Sequence, residues 1–93
     1  MKLVVTVPAY NEQETIGQVI SDIPKQIAGI DDIKVVVIDD GSRDNTAKIA
    51  EQSGAAVFSF GHNKGLGAAF SQGIRIALGL GADIIVNIDA DGQ

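Results

Sequence analysis

Asp89 and Asp91 stand one residue apart in DADGQ, the last five residues of a 93-residue chain, directly after the apolar run IIVNI. In an extended segment, side chains spaced this way leave on the same side. Two carboxylates so close repel each other unless positive charge lies between them. A divalent ion held through oxygen relieves that repulsion. Mg2+ or Mn2+ held by one or two carboxylates ordinarily completes its shell with water and substrate phosphates. Gln93, two residues further on, adds a neutral oxygen on that side. Asp and Gly are also ordinary turn residues, so a solvated turn accounts for the triplet equally well when it is taken alone.

Three other loops carry residues of chemical interest. In PAYNE, Pro8 is expected to stop strand pairing, Tyr10 offers a flat ring on which a base can rest, and Asn11 and Glu12 suit the start of a helix. In VIDDGS, Asp39 and Asp40 exceed what a turn needs; an aspartate at the end of a parallel strand can accept hydrogen bonds from a ribose hydroxyl or a base N–H. In GHNKGLGAA, the glycines allow close backbone approach, the amides opening the next helix can face an anion, and Lys64 adds charge. Neither the Walker-type phosphate loop nor the dinucleotide fingerprint is present. His62, the one histidine, reads as a solvated loop residue and is given no role.

Four runs rich in Val and Ile must position these loops: Leu3 to Val7, Ile33 to Ile38, Ala56 to Phe60 and Asp83 to Ile88. None alternates between apolar and polar residues, so each is expected to be a strand covered on both faces. Helical patterns lie between them. The first is expected to be capped by Asn11, with Glu14 reaching back, and to run to Pro24 with Ile16, Val19, Ile20 and Ile23 inward. The second is expected to be capped by Ser42 or Asp44 and to end near Ser53; the third spans about Gly65 to Leu80. The order β-α-β-α-β-α-β predicts an α/β fold, a Rossmann-like parallel sheet of about four strands with helices on both faces. If the fourth strand pairs with the first on the side away from the second, DADGQ and PAYNE face each other where the strand order reverses, the usual place for a ligand.

Composition bounds the partners. The chain is sized for one domain, has no cysteine for disulfides or zinc-thiolate sites, and has no apolar run long enough to span a bilayer. Its amino terminus lacks the pattern of a signal peptide, and the reading is cytoplasmic. A formal charge of -5 argues against nucleic acid as a partner.

With the four loops in place, the chain resembles the amino-terminal half of a family 2 glycosyltransferase of the GT-A fold, near the dolichyl-phosphate-mannose synthase and polyprenyl-phosphate glycosyltransferase branch. The matching stretches are VPAYNE at 7 to 12, VIDDGSRDNT at 37 to 46, NKGLGAA at 63 to 69 and DADGQ at 89 to 93. Each is weak alone; the four in order are highly specific.

The resemblance implies a nucleotide-diphosphate sugar, UDP- or GDP-linked, as donor. Pro8, Ala9, Tyr10 and Glu12 would line the nucleoside pocket, and Asp39 or Asp40 would bond base or ribose, with Lys64 nearby. Asp89 and Asp91 would form the DxD motif, holding Mg2+ or Mn2+ against the diphosphate, with Gln93 as a further metal contact and Ala90 touching the nucleotide through its backbone. Asp91 is the residue expected to assist departure of the leaving group through the metal. The family continues past this motif with an acceptor site, in many members a general base, and often membrane-associated helices. The 93 residues therefore read as one donor-binding domain of a truncated glycosyltransferase, inactive by itself and prone to self-association. The acceptor, a polyprenyl phosphate, lipid or glycan, would be bound by the missing carboxy-terminal half, and the full-length protein would be membrane-associated. Two alternatives stand beside this: a sugar nucleotidyltransferase, which needs a Gly-rich basic loop after the first strand, and a non-catalytic flavodoxin- or receiver-like metal-binding module.

Overall fold

The computed structural model describes residues 1–91. Seven elements follow one another: β1 (Lys2–Ala9), α1 (Ile16–Ser21), β2 (Asp32–Asp39), α2 (Thr46–Gln52), β3 (Ala56–Ser59), α3 (Leu66–Gly79) and β4 (Ile84–Asn87). The strands form one parallel sheet in the order β3-β2-β1-β4. The expected α/β architecture is present, and β4 lies beside β1 on the side away from β2.

Handedness explains the layering. The steps β1 to β2 and β2 to β3 move the same way across the sheet, so right-handed crossovers put α1 and α2 on one face; β3 to β4 moves back, so α3 takes the other. Alternate residues of β1 then feed two cores. Leu3, Val5, Val7 and Ala9 join Ile16, Ile20 and Ala50 on the α1/α2 face, while Val4 joins Val36, Ile38, Ala69 and Ala77 under α3. The central strand is buried from Leu3 to Ala9, as the unbroken apolar run requires. At the edges the expected cover on both faces is incomplete. Ile84 and Val86 of β4 remain exposed on the face of α1 and α2, which do not extend over β4, and Phe58 of β3 remains exposed on the opposite face, where α3 packs on β1 and β2.

Tertiary contacts correct the expectations for Pro8 and α1 and choose between the two offered for α2. Pro8 does not end β1, which pairs with β2 through Ala9 and Asp39. In a strand the N–H and C=O of one residue point to the same neighbour, and successive residues address opposite neighbours. The Thr6 carbonyl faces β4 and that of Ala9 faces β2, so Pro8's missing N–H falls on the β4 side, where pairing stops after Thr6 and Asn87. Helix α1 begins at Ile16 rather than after Asn11, whose backbone is left-handed with φ 51° and whose polar groups are engaged elsewhere. It also ends at Ser21, before Ile23 and Pro24. For α2, Asp44 rather than Ser42 receives the first helical amide, that of Thr46, at 3.0 Å.

Candidate functional site

The loops at the carboxyl ends of the strands are locked together before any ligand arrives. Asn11 donates its amide to Ser42 Oγ at 2.8 Å and accepts the Arg43 amide on Oδ1 at 3.0 Å. The Glu12 amide donates to Thr46 Oγ1 at 2.8 Å, and the Asn45 amide donates to Gln13 Oε1 at 3.1 Å. Asp44 joins the same clasp, accepting from the Thr46 amide and hydroxyl and from the Gln13 amide. Much of NEQ and SRDNT therefore serves to join the loop after β1 to the loop after β2. The side chains of Asn11, Gln13, Ser42, Asp44 and Thr46 are spent on that joint.

Asp39 and Asp40 are both buried, and each is held by hydrogen bonds. Asp39 accepts the Ser42 amide at 3.0 Å and the Ser59 hydroxyl at 3.1 Å. Asp40 accepts the amides of Lys64 at 2.6 Å and Gly65 at 3.0 Å, together with Asn63 Nδ2 at 3.1 Å. The anion that meets the amides leading into α3 is thus the chain's own Asp40. Sequence reasoning missed this, although DD at a strand end followed by a glycine-rich loop is its signal. Gly41 is equally constrained, with φ 73° and a position where an added Cβ would lie 2.4 Å from the His62 carbonyl carbon. Only glycine lets the second loop touch the third so closely.

A continuous shallow groove runs over these loops. A hollow of about 250 Å³ between Tyr10, Arg43, Phe60 and His62 passes into one of about 200 Å³ walled by Pro8, Ala9, Tyr10, Glu12 and Asp40. That in turn adjoins one of about 280 Å³ bounded by Pro8, Leu66, Phe70, Asn87 and Asp89. The groove spans the C-terminal edge of the sheet from β3 to β4. Tyr10 is 43% exposed, so its ring is available to a ligand. Lys64 is exposed beside the groove, with its ammonium 4.6 Å from the centre of the Phe60 ring. Two larger hollows, of about 640 and 670 Å³, lie where α1 stops short and around residues 25–31. They bring together no set of carboxylates, and size without converging polar groups does not make a site.

The structure places Asp89 and Asp91 differently from the extended segment expected. β4 ends at Asn87, and Ala90 and Asp91 form a turn beyond it. Asp89 is exposed and borders the groove, whereas the Ala90 methyl is buried in the α1/α2-side core and its carbonyl accepts from Thr15 Oγ1 at 2.6 Å. Gln93 lies outside the described residues. Among the described residues no three His, Cys, Asp or Glu side chains converge on one point. Two exposed carboxylates are hard oxygen donors suited to Mg2+ or Mn2+, and an incomplete protein shell suits an ion that takes further ligands from phosphates. The donor set fits that ion.

Known proteins share this framework. The chain is 42% identical over 92 residues to an uncharacterized protein of Methanocaldococcus jannaschii, covering 99% of this chain and 36% of that one. It is 38% identical over 104 residues to the UDP-N-acetylglucosamine–dolichyl-phosphate N-acetylglucosaminyltransferase of Methanococcus voltae, covering 94% and 40%. It therefore spans well under half the length of these relatives. Among solved structures it superposes with a TM-score of 0.75 and 34% identity on Mycobacterium tuberculosis glucosyl-3-phosphoglycerate synthase in complex with Mn2+, UDP and glucosyl-3-phosphoglycerate, covering 96% of this chain and 33% of that one. Residues 4–93 match the sequence model of glycosyl transferase family 2, and this chain belongs to that family.

Proposed function

We propose that this chain is the nucleotide-sugar-binding part of a metal-dependent glycosyltransferase which, when complete, transfers a sugar from a UDP- or GDP-sugar to a polyprenyl phosphate, lipid or glycan. The observation that carries the reading is the groove from Tyr10 to Asp89, which is long, lies at the strand ends and finishes at Asp89, in the turn that also carries Asp91. In this reading the base rests on Tyr10, the remaining acceptor capacity of Asp39 or Asp40 meets the nucleoside, and Pro8, Ala9 and Glu12 shape the wall. Lys64 reaches toward the phosphates from the rim. Asp89 and Asp91, with Gln93, hold Mg2+ or Mn2+. That ion neutralises the charge that builds on the departing nucleoside diphosphate. The Methanococcus voltae transferase is named for a UDP-sugar and the Mycobacterium tuberculosis synthase holds UDP, which favours UDP as the donor's nucleotide; the former also supports a lipid phosphate as acceptor. The cytoplasmic location of the donor site and the membrane association of the complete protein belong to the same proposal.

The alternatives fit the geometry less well. No glycine-rich basic loop follows β1, as a nucleotidyltransferase needs. A receiver-like module would leave the carboxylates after its early strands open to an ion, but Asp39 and Asp40 are buried against loop amides and hydroxyls. Titration with UDP and with GDP, each with and without Mn2+ and followed by amide chemical shifts, tests the reading. Metal-strengthened shifts at Tyr10, Asp39 and Asp91 are expected for UDP, and both Asp39→Asn and Asp91→Ala should weaken them. A folded chain that binds neither nucleotide contradicts the proposal.

A further inference from the structure

We propose that Thr15 is the positioning residue for the metal-binding carboxylates: its hydroxyl fixes the peptide between Asp89 and Asp91 and couples that turn to the loop after β1. The inference rests on the donor-site reading above. Thr15 occupies the N-cap position of α1, where a threonine oxygen ordinarily accepts a backbone N–H of the first turn. Here its side chain makes no such bond. The hydroxyl instead donates to Ala90 O at 2.6 Å, bridging 75 positions of sequence; the Glu12 carbonyl, at 3.5 Å, is too distant to compete for the proton.

What this bond holds gives it its consequence. The Ile88 amide donates to the Thr6 carbonyl at 3.0 Å, the last such tie between β4 and β1 among the described residues. Beyond it the chain turns, and Ala90 is anchored twice, by its buried methyl and by its carbonyl on Thr15. Held at its carbonyl, which belongs to the Ala90–Asp91 peptide, and at its methyl, Ala90 restricts the directions in which the aspartates on either side of it leave the backbone. Thr15 is itself fixed: its amide and that of Ile16 donate to the Glu12 carbonyl, and the Glu12 amide is held by Thr46. Hydrogen bonds therefore connect the clasp beneath the proposed nucleoside pocket to the peptide between the metal ligands, and Thr15 is the link.

The test compares the wild-type chain with Thr15→Val, which keeps the shape but removes the donor, and Thr15→Ser, which restores it. Binding of UDP alone, Mn2+ binding in the presence of UDP by Mn2+ electron paramagnetic resonance, and 15N relaxation of the Ala90 and Asp91 amides in the metal-free chain are measured for all three. Losing one hydrogen bond is worth about three- to tenfold in affinity. Thr15→Val is expected to weaken Mn2+ binding by about that factor and to raise the mobility of Ala90 and Asp91, while UDP binding without metal changes less than about twofold. Thr15→Ser should behave as wild type. If wild type binds Mn2+ with UDP and Thr15→Val matches it in both Mn2+ affinity and amide mobility, the role of Thr15 is overturned and the donor site stands. If wild type binds no Mn2+ with UDP, the donor-site reading fails and this inference fails with it. A Thr15→Val chain that has lost its native amide spectrum is replaced by Thr15→Ala and judged against Thr15→Ser in the same way.

Discussion

Among the carboxylates at the strand ends, burial and exposure separate two kinds of work. Asp39 and Asp40 hold loops, whereas Asp89 stands in water beside the groove. Asp44 belongs with the first kind and reports on it. Burial draws its pKa upward, but hydrogen bonds from the Thr46 hydroxyl, the Thr46 amide and the Gln13 amide favour the charged form and leave it below the ordinary 3.8. A carboxyl with a depressed pKa in the native state binds its proton less readily there than in the unfolded chain. Its charge therefore stabilises the clasp above the ordinary value, and that contribution is lost as pH falls through the native value. A carboxyl-carbon titration should give Asp44 a midpoint below 3.8, and Asp44→Asn should lose less stability than wild type between about pH 5 and pH 3. A midpoint at or above the ordinary value would remove Asp44 from the clasp.

The strands and the long helix were legible in the sequence, and the reason is local: runs of Val and Ile favour extended backbone even at the edges, where burial is incomplete, and α3 is long enough for its small residues to form a visible stripe. The starts of α1 and α2 were less so. Asn11 looks like a cap, but Ser42 and Arg43, more than thirty residues away, claim its amide and side-chain oxygen. The site divides the same way. The acidic loops were visible as candidates, while the lacing that ties Asp40 to Gly65 and Thr15 to Ala90 depends on long-range partners that no local pattern reveals. The glycines of α3 show the difference between a packing residue and a tolerated one. A Cβ on Gly73 would meet Thr6 Cβ at 3.2 Å, whereas Gly79 has nothing within 4 Å. In urea unfolding, Gly79→Ala should gain about 0.5 kcal/mol from helix propensity, and Gly73→Val should lose about 1–3 kcal/mol by forcing α3 off the sheet. The reverse order would mean that α3 does not sit on β1 as described.

For the molecule as a whole, the sheet has two inner strands and two open edges. β4 pairs on one side only, carries no charge between Ile84 and Asn87, and leaves Ile84 37% and Val86 42% exposed. Such an edge recruits another strand. The isolated chain is therefore expected to self-associate as concentration rises, and Val86→Lys to suppress it; sedimentation showing the same monomer for both chains across a wide range would contradict this. The two ends of the sheet also differ in a way that one experiment can read. The carboxyl ends of the strands hold Tyr10, Asp39 and the turn with Asp89 and Asp91, while the opposite end has acidic residues of its own in Asp31, Asp32 and Asp83. An ion drawn by charge alone would have a choice; one held for a nucleotide would not. The most direct measurement is the loss of amide signals caused by substoichiometric Mn2+ in the UDP-saturated chain. Broadening is expected to centre on Ile88 to Asp91 and to reach Ala9, Tyr10 and Gly65, with Lys2, Asp31 and Asp83 unaffected. Broadening centred on Asp31, Asp32 and Asp83, or no broadening at Asp89 and Asp91, would contradict it.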